Sequence, residues 1–174
     1  PIKSRIRTIA DFPKAGIMYR DITTLLKDPL GLKITVDSLV KRYSDMEIDV
    51  VAGIEARGFI IGAPIAMALG KGFIPIRKKG KLPGETYSQD YQLEYGVDTI
   101  EIHTDAFEKG QRVLMVDDLL ATGGTMVGAI ELVEKAGAVP VHACFIVDLP
   151  ELKGGVRLKE KGMGFYALTE FDGH

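Results

Sequence analysis

Residues 112 to 125 read RVLMVDDLLATGGT, and this stretch decides the fold. The four apolar residues at 113–116 form a short continuous run, which predicts a strand buried on both faces of a parallel sheet. Thr125 is placed to cap a helix over 126–135, whose apolar residues recur at helical spacing, and Gly137 follows as a stop signal. The sequence therefore predicts a strand, a loop and a helix in that order, which is the building unit of an α/β fold.

The loop between these two elements is suited to hold a phosphate group. Ligands of open α/β sheets bind outside the carboxyl ends of the strands, where free N–H groups at a helix start attract anions. Gly123 and Gly124 let the backbone close on such an anion, and Thr122 and Thr125 add hydroxyl donors. Taken alone, the two glycines indicate only a turn, but their place after a buried strand favours a phosphate site.

Two acidic residues, Asp117 and Asp118, stand between the strand and this loop. They would repel a phosphate if they pointed at it, and either residue alone would mark no more than the end of a strand. We expect them instead to accept hydrogen bonds from sugar hydroxyls, or to support a metal-bound water. Together with the loop, they predict a site for a phosphorylated sugar.

Strand patterns alternate with helical patterns along the rest of the chain, as expected for repeated βαβ units. Asp28 and Pro29 indicate the cap and the first turn of a helix. Residues 99–103 alternate in the manner of an exposed or edge strand. The other predicted elements are strands over 48–54, 73–77, 139–147 and 165–168, and a helix over 58–69. The predicted fold is an α/β protein with a central, mostly parallel, twisted sheet flanked by helices.

The composition is that of an ordinary globular domain. The 174 residues are 46% hydrophobic and 26% charged, and a net charge of −2 gives no support for nucleic acid as a partner. We expect no signal peptide, and the apolar stretch at 59–69 is too short and too broken by glycine and proline to span a membrane. Cys144, the only cysteine, is expected to be a core thiol, which fits a reducing cytoplasm.

Residues 113 to 125, VLMVDDLLATGGT, resemble the phosphoribosyl pyrophosphate signature of the type I phosphoribosyltransferases. The form DDLLATGGT is similar to that of the adenine phosphoribosyltransferases in particular. Further segments agree with this family in the same order: DFPKAGIMYRDIT at 11–23, GIEARGF at 53–59, IRKKGKLPGETY at 76–87 and LEYG at 93–96.

The resemblance covers nearly the whole chain and implies one domain over residues 1–174. It implies a hood segment that recognises the base at about 11–23. It also implies a flexible catalytic loop at about 77–96 that closes over the active site.

The segment GIEARGF lies at the exit of one predicted strand and the start of the next helix. Gly53 and Gly58 have the spacing of the outer glycines of a P-loop. Phe59 and Ile60, however, stand where a P-loop requires lysine and then serine or threonine. The sequence therefore disfavours a P-loop kinase.

Arg57 lies beside the predicted start of that helix, where it can hold a pyrophosphate through charge-assisted hydrogen bonds. Taken alone, the segment would favour a surface arginine paired with Glu55. The resemblance implies that Glu55, Ala56 and Arg57 grip the pyrophosphate of the donor, with Arg57 acting in catalysis. It also implies a cis peptide bond between Glu55 and Ala56.

Four positive charges, Arg77, Lys78, Lys79 and Lys81, fall within five residues. Such a run is usually a solvated loop, but a highly charged donor also needs a counter-charge that can close over it and release product. The resemblance implies that Arg77 and Lys81 contact phosphate groups, and that Lys78 belongs to the same binding segment.

The resemblance also implies which residues handle the base. Glu94 in LEYG is the expected general base, which accepts the proton that the purine loses at N7. Without the resemblance, it would be a solvated acid at a strand end. Tyr95 is expected to shield the reacting centre. Met18 and Leu119 are expected to sandwich the adenine ring and Arg20 to recognise it through its main chain, although core packing of Met18 fits the sequence nearly as well.

The implied function is transfer of the phosphoribosyl group from phosphoribosyl pyrophosphate to adenine, giving AMP and pyrophosphate in purine salvage. Residues Ala121 to Thr125 are expected to hold the 5′-phosphate, and the two acids the ribose hydroxyls. Mg²⁺ is expected to bind mainly through the oxygens of the donor and through waters, without a direct protein ligand. The resemblance also implies a homodimer.

Two alternatives stay open. A hypoxanthine, guanine or orotate transferase shares the Asp-Asp and Thr-Gly features, although LEYG together with DDLLATGG argues for adenine. A regulator could keep the phosphoribosyl pyrophosphate pocket and bind nucleic acid. The balanced charge, Glu94 and the basic loop at 77–81 argue against such a regulator.

Overall fold

The computed structural model describes residues 1–93 and 96–173. Short 3₁₀ turns span Lys3–Arg5 and Pro150–Leu152. None of the helices in the described ranges has the length and the apolar composition that crossing a bilayer requires. The strands are β1 Arg7–Ala10, β2 Met18–Asp21, β3 Val50–Ile54, β4 Gly72–Lys78, β5 Thr86–Leu93, β6 Gly96–His103, β7 Arg112–Val116, β8 Leu119–Leu120, β9 Val139–Asp148 and β10 Phe165–Glu170. The helices are α1 Thr23–Leu26, α2 Pro29–Tyr43, α3 Arg57–Leu69, α4 Gly124–Lys135 and α5 Gly154–Glu160.

The main sheet has eight strands and is mostly parallel, as the sequence predicts. Its order is β10-β9-β7-β3-β4-β6-β5, and the short β8 pairs with β9. The pairs from β10 to β4 are parallel, and the β5–β6 hairpin adds two antiparallel strands beyond β4. β1 and β2 form a separate antiparallel pair. Because β3 and β7 are parallel neighbours, the loops that follow them lie at the same edge of the sheet.

Both faces of the sheet are covered, which explains the continuous apolar runs in its central strands. In β7, Val113 and Met115 belong to one core cluster, whereas Leu114 and Val116 belong to the other. The first cluster joins the sheet, including its β5–β6 hairpin, to α4 and α5. The second joins it to α1, α2 and α3. Helices thus flank the sheet on both sides, which confirms the predicted fold class.

Two local predictions about single residues are confirmed. Asp28 is the N-cap of α2, where its side chain accepts a hydrogen bond from the N–H group of Leu30 and Pro29 opens the helix. Cys144 in β9 is fully buried, and burial raises the pKa of its thiol. Its position is therefore that of a packed core thiol.

β6 differs from the exposed or edge strand that the sequence predicts. It lies between β4 and β5, and its Ile100 and Ile102 are buried. The edge position belongs to β5. The alternating pattern reports which face each side chain occupies, but it does not report which strands pair on either side.

A buried tyrosine, Tyr43, and a half-buried histidine, His142, join α2 to β9. The hydroxyl oxygen of Tyr43 lies 2.7 Å from Nδ1 of His142 and 3.3 Å from the carbonyl oxygen of Ala143. Burial, followed by the positive charge of Arg42, lowers the pKa of His142. The folded protein therefore favours the neutral imidazole at this position.

This pair predicts a pH-dependent stability. We expect the free energy of unfolding to fall as the pH drops below about 6.5, the ordinary pKa of histidine, because the unfolded chain then binds a proton that the folded site disfavours. Above that pH the stabilisation is fully present. Denaturant unfolding at about pH 7.5 and about pH 5.5 measures the difference, and His142→Gln should reduce it.

The matched control is His103→Gln, because this histidine lies elsewhere, with its Nε2 atom 2.9 Å from the carbonyl oxygen of Pro83. Equal pH dependence in the wild type and in His142→Gln would show that His142 does not contribute.

Candidate active site

The loops after β3 and β7 meet at the carboxyl edge of the sheet, beside a cavity of about 280 Å³. The loop from β7 to α4 supplies most of its wall, with Asp117, Asp118 and residues 121–125. Arg57 from α3 and Leu93 from β5 also line it. The structure thus brings the predicted phosphate loop, both acids and Arg57 together in one place.

The start of α4 differs from the sequence prediction. The helix begins at Gly124, and Gly123 is its N-cap in the left-handed conformation, with φ at 87°. Thr125 is therefore not the cap but a residue of the first turn, and the N-terminus receives no capping hydrogen bond from a described side chain. Glycine adopts a positive φ without strain, which allows the chain to enter the helix earlier. The N–H groups of the first turn are left for an anion in the cavity.

Two glycines let β5 lie directly against α4. A Cβ atom at Gly124 would lie 2.1 Å from the carbonyl oxygen of Gln92, and one at Gly128 would lie 2.7 Å from Cβ of Tyr91. Neither position leaves room for a side chain. The end of β5 and the helix that begins at the phosphate loop are therefore in direct contact.

Asp118 forms an ion pair with Arg57. Nε of Arg57 donates a hydrogen bond to Oδ2 of Asp118 at 2.5 Å, and the Asp118 side chain is only 10% exposed. The surface pair between Arg57 and Glu55, which the segment alone would favour, is not the arrangement found. The guanidinium group has five N–H donors, so one bond to Asp118 leaves others for a ligand.

Asp117 has a different environment from its neighbour. Its Oδ1 atom accepts a hydrogen bond from the N–H group of Asp118 at 2.8 Å. Burial, followed by the charge of Asp118, raises the pKa of Asp117 well above the usual range. A protonated Asp117 could donate a hydrogen bond to a sugar oxygen, whereas an ionised carboxylate only accepts.

Glu55, directly after β3, contacts three residues at the start of the basic loop. Its carboxylate accepts a hydrogen bond from the backbone N–H group of Lys78 at 2.7 Å, and it lies 3.2 Å from Nε of Arg77 and 3.6 Å from Nζ of Lys81. Burial opposes ionisation, but the N–H group of Lys78 and the charges of Lys81 and Arg77 outweigh it and lower the pKa of Glu55. The peptide bond between Glu55 and Ala56 is cis, as the resemblance implies.

The four basic residues of the run at 77–81 are not among those that line the cavity beside the phosphate loop. Arg77 and Lys81 are turned toward Glu55, and Nζ of Lys78 lies 3.7 Å from Asp98 in β6. Glu94 and Tyr95 lie outside the described residues. The residue before them in the chain, Leu93, does line the cavity.

A second cavity, of about 460 Å³, lies beside the first. Met18 and Arg20 of β2 line it together with Leu119. Met18 is 41% exposed, so the alternative of a core residue is wrong. The residues that line both cavities are Arg57, Asp118, Leu119 and Ala121.

Several lining residues were not identified from the sequence. Leu149 and Leu152 border the second cavity just beyond the end of β9, so the rule that ligands bind at the carboxyl ends of strands could have found them. Tyr19 also borders it, and its ring centroid lies 5.9 Å from Cζ of Arg57. Phe145 lines the first cavity from within a buried strand, where nothing in the sequence distinguishes it from a core residue.

Comparisons with known proteins agree with this geometry. The family model described as a phosphoribosyl transferase domain matches residues 22–166. An adenine phosphoribosyltransferase of Nitrosospira multiformis is 60% identical over 173 residues, covering 99% of this chain and 99% of the relative.

Two crystal structures are also similar to this chain. Adenine phosphoribosyltransferase from Thermoanaerobacter pseudethanolicus has a TM-score of 0.93 and 48% identity, covering 98% of each chain. Adenine phosphoribosyltransferase from Saccharomyces cerevisiae, complexed with adenine and an imino-altritol bisphosphate, has a TM-score of 0.88 and 36% identity, covering 96% of each chain.

The family match at 22–166 contains the two acids, the phosphate loop and the basic residues. The full-length similarity adds the strand β2, which lines the second cavity. The chain therefore belongs to the phosphoribosyltransferase family, and within it to the adenine phosphoribosyltransferases.

Proposed function

We propose that the protein transfers the phosphoribosyl group of phosphoribosyl pyrophosphate to adenine, giving AMP and pyrophosphate in purine salvage. The bond between C1′ and the pyrophosphate oxygen breaks, the bond between C1′ and N9 of adenine forms, and the purine loses one proton. The observation that carries this proposal is the shared wall of the two cavities at Arg57, Asp118, Leu119 and Ala121. A cavity at a helix start that is lined by two acids and an arginine, and that adjoins a second cavity, suits a phosphosugar and a flat base that react where the two meet.

The phosphosugar end of the donor is bound by the loop from β7 to α4. Residues 121–125 hold the 5′-phosphate through backbone N–H groups and hydroxyls, which the uncapped start of α4 supports. Asp117 and Asp118 hold the ribose hydroxyls. The negative charge of Asp118 also favours the positive charge that develops on the sugar as the leaving group departs.

The pyrophosphate is held by the loop after β3 and by the basic loop. Arg57 donates hydrogen bonds from one side, beside Glu55 and Ala56. Arg77, Lys78 and Lys81 supply the counter-charge from the other side. In the structure two of these cations face Glu55, and a pyrophosphate carries more negative charge than one carboxylate, so it attracts them toward the donor.

Magnesium is the cofactor, and it enters with the donor. In the described ranges, no group of three or more His, Cys, Asp or Glu side chains is placed to hold a metal ion. The adjacent Asp117 and Asp118 beside the cavity fit the alternative, in which carboxylates hydrogen-bond to metal-bound waters. When bound, the ion neutralises charge on the pyrophosphate.

Adenine occupies the second cavity. Met18 and Leu119 sandwich its ring, and Arg20 recognises its edge through main-chain groups. All three residues line that cavity, which supports these roles. Glu94 accepts the proton from N7, and Tyr95 shields the reacting centre from water. Leu93, the residue before Glu94, lines the adjoining cavity, which supports a position of this segment close to the reacting atoms.

The protein acts as a cytoplasmic homodimer of one-domain subunits, in which the segment at about 77–96 moves over the bound donor. Support for a dimer comes from α3, where Ile60 and Met67 are 48% and 81% exposed and lie two turns apart on one face. Support for a reducing compartment comes from Cys144, the only cysteine. Light scattering measures the mass in solution.

The test of the proposed function is AMP formation from adenine and phosphoribosyl pyrophosphate with Mg²⁺, run beside hypoxanthine, guanine and orotate. We expect turnover with adenine to be at least about 100-fold faster than with the other bases. A site whose polar groups hydrogen-bond to the edge of adenine leaves some of those groups without a partner when another base is bound. Preferred turnover of another base would contradict the substrate assignment. Donor binding without turnover of any base would contradict the enzymatic assignment.

A further inference from the structure

We infer that the C-terminal residues Phe171 and Asp172 form a latch that positions the base-recognition strand β2, and that the side chain of Arg20 is the positioning residue that engages it. The inference rests on the proposed function, because the second cavity must be the adenine site. It assigns the Arg20 side chain a role separate from its main chain. It also gives the residues that follow β10 a part in substrate affinity.

Three contacts hold the Arg20 side chain. Nη1 donates a hydrogen bond to Oγ1 of Thr8 at 2.7 Å, and Nη2 donates one to the carbonyl oxygen of Asp172 at 3.1 Å. The guanidinium carbon lies 4.6 Å from the ring centroid of Phe171. The Nε atom is buried and has no hydrogen-bond partner among the described residues, so these terminal nitrogens and the ring fix the group. The Arg20 side chain thereby connects Thr8 of β1 to Phe171 and Asp172.

The latch itself is fixed to the main sheet. The N–H group of Phe171 donates a hydrogen bond to the carbonyl oxygen of Asp148 at 3.1 Å, directly after the paired strands β9 and β10. Nζ of Lys3 lies 4.8 Å from the same Phe171 ring. A cation–π contact with arginine or lysine contributes measurably where it is partly desolvated. Phe171 therefore joins the sheet to two cationic side chains of the N-terminal region.

The β1–β2 pair needs such support because it is small and peripheral. A two-stranded antiparallel pair is at best marginally stable alone, and the side chains of β1 are exposed. Arg7 and Asp21 hold its open end by an ion pair. Arg20 and Thr8 form the next cross-strand pair toward the turn, and Met18 and Tyr19 follow on the cavity wall. The latch thus acts on Arg20, whose main chain would contact adenine, next to Met18 and Tyr19 on the cavity wall.

The experiment compares Arg20→Met and Phe171→Leu with the wild type in steady-state kinetics and in hydrogen exchange of residues 7–21. Both variants keep the main chain of β2 intact. We expect KM for adenine to rise about tenfold in Arg20→Met, which loses two charge-assisted hydrogen bonds and a cation–π contact, and by less in Phe171→Leu, which loses only the cation–π contacts. KM for phosphoribosyl pyrophosphate and kcat should stay within about twofold, and exchange in β1–β2 should accelerate.

The matched control is Arg42→Met, which removes a guanidinium group 5.3 Å from the ring centroid of Tyr166 in β10, away from both cavities. It should change neither KM nor exchange in β1–β2. Arg20→Lys keeps a cation over Phe171 and should recover part of the affinity.

Two results would overturn the latch. One is an unchanged KM for adenine and unchanged exchange in Arg20→Met. The other is an equal rise of KM for both substrates, which would indicate a general loss of structure. A wild-type enzyme that fails to turn over adenine would instead contradict the proposed function. The exchange measurement would still decide whether Arg20 and Phe171 hold the strand.

Discussion

Glu94→Gln is expected to lower kcat with adenine by about 10²–10⁴-fold, the usual contribution of a positioned general base. Glutamine keeps the size of the side chain but cannot accept the proton that the purine must lose. Substrate binding should change little, so the loss should fall on kcat more than on either KM. Steady-state assays over a range of both substrates measure this division.

Glu85→Gln is the matched control for this prediction. Glu85 is an exposed acid near the start of β5, in the same loop region, and its variant loses the same charge. We expect it to retain activity within about twofold, since exposed charges contribute little at a distance. If Glu94→Gln behaves like Glu85→Gln, the proton passes to another group or to water, and Glu94 has no part in the chemistry.

Arg57→Met is expected to lower kcat/KM for phosphoribosyl pyrophosphate by about 10²–10³-fold, comparable to the loss of one preorganised hydrogen-bond donor. The substitution removes the donor that faces the first cavity and also leaves the buried carboxylate of Asp118 without its cation. An unpaired carboxylate in that position repels the incoming phosphates. The effect should therefore exceed that of losing a surface arginine.

Two further variants separate these contributions. Arg57→Lys keeps the charge beside Asp118 but loses the fork of N–H donors, so its activity should fall between those of the wild type and Arg57→Met. Arg112→Met removes a half-buried arginine that lies outside both cavities and whose Nε atom donates to the carbonyl oxygen of Glu47, and it should leave kcat/KM unchanged. Wild-type kcat/KM in Arg57→Met would exclude Arg57 from donor binding.

The sequence predicted the elements around the site because local patterns determine them. The apolar run of β7, the acids after it and the glycines at the start of α4 are close together in the chain, and each has a direct physical meaning. The predicted cap of α4 at Thr125 was wrong because Gly123, two residues earlier, adopts a left-handed conformation and is the N-cap. The sequence pattern did not reveal that conformation. Local signals thus locate an element more reliably than its first residue.

The pairings across the fold were beyond sequence reasoning. Arg57 lies two positions from Glu55 in the chain, yet its partner is Asp118 on a neighbouring strand end. Glu55 instead pairs with Arg77 near the end of the next strand, β4, and with Lys81 just after it. These partners depend on which strands are neighbours in the sheet, and a single sequence does not state that order. The place of β6 between β4 and β5 was misjudged for the same reason.

The close contact of β5 with α4 has a consequence for how this protein can change over time. Gly124 belongs to the phosphate loop, and the carbonyl group of Gln92 occupies the space that any larger residue there would need. Gly128 is constrained in the same way by Tyr91. A mutation at either glycine must therefore be accompanied by a shift of the strand that leads to Glu94. The segment proposed to bind the donor and the segment proposed to transfer the proton are far apart in the chain, but a substitution in the first therefore affects the position of the second.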